Sequence, residues 1–170
     1  KWGEGNFPFG IIQLPNFRSP NPEPVDEPWS FIREAQRKTS LNTTNTGLIV
    51  TIDIGEANDI HPKNKLDVGL RMSRWAMKDV YKMKLTNSPV LKSYSIKGNK
   101  IQLTFDDIGT GLKIKKGNKL QEFAIAGDDK KFIWAEAKIL GKNKVEVWSD
   151  KVLTPKAVRY AFNNNPRNPN

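Results

Sequence analysis

Cysteine is absent from the 170 residues, and histidine occurs once, at His61. Without cysteine there can be no disulfide and no thiolate metal site, and compartment cannot be read from redox chemistry. One imidazole leaves no second histidine or cysteine to complete a metal site, so neither a metal nor a cofactor is expected. No run of about 18 apolar residues exists, so no membrane span is expected. The opening Lys1-Trp2-Gly3-Glu4-Gly5 has neither a starting Met nor the apolar stretch of a signal peptide. It reads as a chain that begins in mid-protein. None of the serines lies in a Gly-x-Ser-x-Gly turn, so a serine hydrolase built on His61 would need a nucleophile from outside this chain.

What is present describes a folded chain. Hydrophobic content is 37%, with eight Phe and five Trp, enough for one medium domain or two small ones. The net charge of +10 is uneven: residues 1–85 hold 12 Lys+Arg against 10 Asp+Glu, and residues 86–170 hold 16 against 8. The excess gathers at turns, as Lys97/Lys100, Lys115/Lys116/Lys119, Lys130/Lys131 and Lys142/Lys144. Lysines there keep sheet edges from pairing with other chains. Nucleic-acid binders more often interleave arginines with stacking aromatics, so no nucleic-acid partner is expected.

The stretch from Gly47 to Met77 organises the rest. Leu48-Ile49-Val50-Thr51-Ile52 reads as a strand buried on both faces. A polar turn, Gly55 to Asp59, leads to His61-Pro62, and a helix is expected from about Asn64 to Tyr81, burying Leu66, Leu70, Met77, Val80 and Tyr81. Asp67 and Arg71 stand at i,i+4, the spacing of a surface ion pair. Upstream, the apolar run from Phe7 to Leu14 reads as a strand stopped by Pro15. Residues 15–28 hold five of the eleven prolines and must be irregular. Asp26 is the expected N-cap of a helix over about 27–38 whose Trp29, Ile32, Ala35 and Gln36 share a core-facing side. Strand, loop, helix, strand and helix make a parallel α/β unit, with too few strands for a complete doubly wound sheet.

After Asn87-Ser88-Pro89 the period changes to two. Segments around Ser93–Lys97, Ile101/Leu103/Phe105, Leu112–Lys115, Phe123/Ile125, Phe132/Trp134, Ile139, Val145/Val147 and Val158/Tyr160/Phe162 alternate between turns, as in a β-sandwich. The Asn/Pro-rich tail after Phe162 is expected to fray. Aromatics such as Trp148 and Tyr160 could stack on sugar rings, but core packing explains them as well.

An imidazole with an ordinary pKa near 6.5 suits acid–base work at neutral pH. At the end of a strand in an open α/β unit, His61 stands where such folds bind ligands. A lone histidine also serves packing as often as chemistry. Beyond these physical arguments, the run Thr51-Ile52-Asp53-Ile54-Gly55-Glu56-Ala57-Asn58-Asp59-Ile60-His61-Pro62-Lys63-Asn64-Lys65, with Asp67-Val68-Gly69, resembles the segment around the catalytic histidine of bacterial sialate O-acetylesterases, SGNH-type carbohydrate esterases. Trp2-Gly3-Glu4-Gly5, Phe7-Pro8-Phe9, Gln13-Leu14-Pro15 and Arg33-Glu34-Ala35-Gln36 match as well. So do Gly109-x-Gly111-Leu112, Phe123 to Gly127 and Ala157 to Ala161, so that the likeness covers nearly the whole chain.

The resemblance implies the C-terminal part of a flavodoxin-like SGNH hydrolase α/β/α domain over residues 1–87, an antiparallel β-sandwich region over 88–163, and a tail over 164–170. It implies a secreted or periplasmic enzyme that removes O-acetyl groups from sialic acid or another acetylated glycan. The family's nucleophilic serine, in a Gly-Gln-Ser-Asn turn, and its Gly-Glu-Ser-Asn oxyanion segment would both lie upstream. His61 would exchange the proton, with the missing N-terminal portion of the same protein as its partner and no membrane involved. Where the wider SGNH pattern has an aspartate, three residues before the histidine, this chain has Asn58. The ring could then be oriented by Asp59, Asp53, Glu56 or a backbone carbonyl, or act in a Ser–His dyad; Asp59 is carried forward with His61. The alternative is a non-catalytic carbohydrate-binding or structural fragment in which His61 is a packed loop residue.

Overall fold

A computed structural model describes residues 3–169; Trp2, the first residue of one matched motif, lies outside them. Strand β1 (Phe9–Ile12) and strand β2 (Thr46–Ile49) pair in parallel, with Gly10 opposite Gly47, and are linked by helix α1 (Pro28–Asn42). Helix α2 (Lys65–Trp75) follows β2 and lies on this pair. The two facing glycines let it come close. A Cβ on Gly47 would stand 1.9 Å from Trp75 Nε1, and one on Gly10 would stand 2.7 Å from Met72 Sδ.

The packed side of α2 is therefore Met72 and Trp75, not the expected Leu66 and Leu70, which are 73% and 57% exposed. Tyr81 is likewise exposed, while Met77 and Val80 are half-buried. The helix ends sooner than its period predicts. Ala76–Val80 forms a π-helical turn closed by Tyr81 N–H on the Ala76 carbonyl at 3.0 Å. The strand at the centre also stops early, at Ile49 rather than Ile52. Gln13 N–H donates to the Ile49 carbonyl at 3.0 Å as the last rung. Beyond it Arg71 donates to the Val50 carbonyl, and the Thr51 hydroxyl donates to the Gln13 carbonyl.

In α1, Glu27 rather than Asp26 occupies the N-cap position, because Pro28 suits the first helical turn, and Asp26 pairs instead with Arg159. The first helical N–H groups look elsewhere for acceptors. Trp29 N–H finds Asn164 Oδ1 at 3.0 Å, 135 residues away in sequence. Ile32 and Ala35, expected in the core, are exposed, and Ser30 and Arg33 are buried in their place.

The second half consists of two antiparallel sheets. One has the order β3 (Val90–Lys97), β4 (Lys100–Asp106), β8 (Lys144–Trp148), β7 (Glu136–Leu140); the other has the order β6 (Ile133–Trp134), β5 (Phe123–Ala126), β9 (Ala157–Tyr160). Ile101, Leu103, Leu120, Phe123, Ile125, Val145 and Val147 form one core shared by both sheets. Leu112–Lys115, read as a strand, has no ladder; Leu112 and Ile114 pack on that core from a loop. Phe162 lies past β9 and stacks edge-on against Phe31 of α1. Strand β3 is an open edge. Its Tyr94 and Ile96 sit opposite core residues Leu103 and Ile101, yet remain 64% and 46% exposed.

From Asn163 to Pro166 the tail does not fray. Asn163, Asn164 and Asn165 are buried, and the Arg33 guanidinium donates to the carbonyls of Ala161, Asn163 and Asn164. Asn164 N–H and its side-chain amide reach the two carboxylate oxygens of Glu27, at 2.6 and 3.2 Å. Burial pulls the Arg33 pKa down to about 10, against the opposing pull of Glu27.

Candidate active site

The segment between β2 and α2 carries His61 and is held at many points. Asp59 Oδ1 accepts the His61 backbone N–H at 2.8 Å, the local turn that aspartate favours. Glu56 Oε1 accepts Lys63 N–H at 2.8 Å, and Glu56 and Asp59 form a small backbone bridge. Pro62 is buried, fixing the chain just after the histidine. Asn64 then caps α2 reciprocally with Asp67: its Oδ1 accepts Asp67 N–H at 3.1 Å, and its Nδ2 donates to Asp67 Oδ2 at 2.7 Å.

Asp67 is thus spent on the cap, and Arg71 turns to a different carboxylate. Its guanidinium grips Asp53 through two bonds, Nη1 to Oδ1 at 2.6 Å and Nη2 to Oδ2 at 2.9 Å, and also donates to the Val50 carbonyl. Lys115, from the loop after β4, adds a bond to Asp53 Oδ2. Burial alone would raise the Asp53 pKa, but the hydrogen bonds from Arg71 and Lys115 outweigh it and hold the carboxyl at about 2.

His61 itself points outward, with its side chain 88% exposed. Its Nδ1 lies 4.0 Å from Asp59 Oδ1. Of the candidate carboxylates, Asp53 is bound to Arg71 and Lys115 and Glu56 Oε1 to Lys63 N–H, while Asp59 Oδ1, which holds the His61 backbone N–H, lies 4.0 Å from the ring. Asn58 is exposed.

Two shallow depressions lie elsewhere. One runs over Phe7, Phe9, Thr39 and Thr46, the other between Pro22, Leu120, Trp134 and Arg167, and neither includes His61. Among the described residues no group of three or more His, Asp or Glu side chains is arranged to hold a metal ion, and no helix is long and apolar enough to cross a membrane.

The supports of the histidine segment escaped sequence reasoning. Asn16, from the proline-rich loop, accepts Gly55 N–H on its Oδ1 at 2.6 Å, and Arg18 N–H donates to the Ala57 carbonyl at 2.9 Å. A Cβ on Gly55 would stand 2.1 Å from the Asn16 carbonyl oxygen. That glycine in the matched motif was the available signal, since a backbone approached so closely admits no side chain.

No protein-family model matches the chain, and no curated protein matches it either. Among solved structures, the fold superposes on a carbohydrate acetylesterase from Xanthomonas citri with a TM-score of 0.86 at 42% sequence identity. The match covers 96% of this chain and 38% of that one, so the chain spans well under half the length of the protein it resembles.

Proposed function

We propose that this chain is the histidine-bearing part of a carbohydrate O-acetylesterase. The observation that carries this is the 42% identity to a carbohydrate acetylesterase over 96% of the chain, with His61 in a segment whose backbone is fixed at both ends. In this scheme an upstream serine attacks the acetyl carbonyl while His61 Nε2 takes its proton. The same proton passes to the sugar oxygen as the C–O bond breaks, and water, deprotonated by His61, then frees acetate from the serine. Asp59 steadies the imidazolium from the Nδ1 side, closing from 4.0 Å to hydrogen-bond range in the reacting complex.

The finer assignments belong to the same proposal: a sialate O-acetylesterase-like enzyme of SGNH type, secreted or periplasmic, with a flavodoxin-like catalytic layer completed by residues upstream. The open apolar side chains of Phe9, Ile12, Leu66 and Leu70 on the β1–β2–α2 layer suit contact with that upstream part.

The test is acetate release by the complete gene product, wild type and His61→Ala, on O-acetylated sialic acid and on acetylated xylo-oligosaccharide. Losing the imidazole should slow turnover by about a hundredfold or more with the fold intact. An equally active variant would make His61 structural. Glycan retention without turnover by either form would favour a binding module instead.

A further inference from the structure

We infer that Asn165 of the tail, acting through Asn16, is a positioning residue for His61. This rests on the proposed role of the imidazole, and the geometry comes from three segments far apart in sequence. Asn16 Nδ2 donates to Asn165 Oδ1 at 2.8 Å, and Asn165 Nδ2 donates to the Arg18 carbonyl at 2.5 Å. Asn16 Oδ1 accepts Gly55 N–H at 2.6 Å, six residues before the histidine. Arg18 N–H closes the circuit on the Ala57 carbonyl at 2.9 Å.

The relay has a direction that only two amides can supply. At one end stands a backbone donor, Gly55 N–H, so Asn16 must present its oxygen there and its amino group to Asn165. At the other end stands a backbone acceptor, the Arg18 carbonyl, so Asn165 must present its oxygen to Asn16 and its amino group to Arg18. An aspartate at either place loses a donor and sets oxygen against oxygen. The tail is itself firmly held, since Asn165 is 6% exposed and its neighbour Asn164 is bound to Glu27 and Trp29. Asn164 also accepts Phe17 N–H on its carbonyl at 3.1 Å, between the two loop residues of the relay. The proline-rich loop is thus clamped between the tail and the histidine segment. It transmits the tail's rigidity to Gly55 and Ala57, and so to the turn that aims the ring. Tolerances in such a chain matter, because a displacement of about 1 Å at a reacting group can cost about a hundredfold in rate.

The test uses Asn165→Ala, Asn16→Asp, which keeps an oxygen for Gly55 but faces Asn165 Oδ1 with a second one, and Asn168→Ala as an exposed tail control. In the 170-residue chain His61 is the one histidine, so the Cε1–H line of its ring is assigned without ambiguity. Both relay variants should shift that line and speed amide exchange at Gly55 by at least about tenfold. In the complete gene product, at a temperature where circular dichroism shows each variant folded, kcat for acetate release should fall about tenfold or more with KM within twofold. Asn168→Ala should do neither. Unmoved His61 and Gly55 signals, unchanged kcat, or an equal effect from Asn168→Ala would each overturn the relay. Failure of the histidine's own role reads differently: His61→Ala would then keep full turnover whatever the asparagine variants do.

Discussion

At the scale of single residues, the sharpest feature is Asp53. Its carboxylate is 14% exposed and serves Arg71 and Lys115 at once, tying the histidine segment to α2 and to the loop after β4. Because its folded pKa of about 2 lies below the ordinary value of 3.8, the folded state gains stability from it above the unfolded pKa. That gain should vanish as pH falls from about 4 to about 2, and amounts to about 2 kcal/mol. Glu34 and Glu146 are also held below the usual carboxylate value, by Arg37 and by Lys100. The useful quantity is therefore a difference. Urea melts at pH 6 and at about pH 2 should show wild type losing about 2 kcal/mol more than Asp53→Asn. Parallel losses would mean that the ion triad contributes nothing net.

At the scale of elements, two glycines decide how the first layer packs. Gly47→Ala would drive a methyl group into the Trp75 indole, with 1.9 Å to Nε1 and 2.1 Å to Cε2. A rigid ring anchored on a helix cannot swing aside cheaply, so the substitution should cost about 3 kcal/mol. Gly69 offers the opposite case. It sits inside α2 with nothing within 4 Å of the place an added methyl group would take, so Gly69→Ala should stabilise by about 0.5–1 kcal/mol. Thermal denaturation of the two variants should move in opposite directions; a Gly47→Ala variant that melts no lower than wild type would mean that α2 is not seated on Gly10 and Gly47. This pair also marks what the sequence makes legible. The apolar runs locate β1 and β2, and the change to a helical period locates α2, because burial imposes those periods locally. The face of α2 escapes, since Leu66 and Leu70 look more apolar than Met72 and Trp75 until the glycines opposite are known. Gly10 and Gly47 were visible as glycines inside strands, a mark of close approach that composition alone does not connect to a partner. In the same way the position of the His61 segment between strand and helix was legible, while the contacts that Asn16 and Arg18 make with Gly55 and Ala57 cross the chain and were not.

At the scale of the whole molecule, the tail joins the two halves. An Asn-Asn-Asn-Pro run looks like a solvated end because each amide can be satisfied by water. Here Asn164 and Asn165 are placed against groups more than 100 residues upstream, which no local pattern announces. Arg33 is the pivot of that junction. It is 4% exposed, on the inner side of α1, and its donors go to three main-chain carbonyls of the tail. Removing the guanidinium would strand those carbonyls in a dry region, each with a desolvation cost, and would leave the tail tied to α1 only through the bonds of Asn164 to Trp29 and Glu27. Arg33→Met, which keeps most of the side-chain volume, should therefore lower stability by about 3 kcal/mol, equivalent to a Tm shift of about 6–12 °C in a chain of this length. The same loss should appear as faster amide exchange at Trp29, whose N–H depends on Asn164, while strands β4 and β8 keep their protection. If the melting temperature held, or if β4 and β8 loosened as much as Trp29, the tail would be a passenger on α1 and the halves would be joined elsewhere, through Asp26–Arg159, Lys78–Asp107 and Asp53–Lys115.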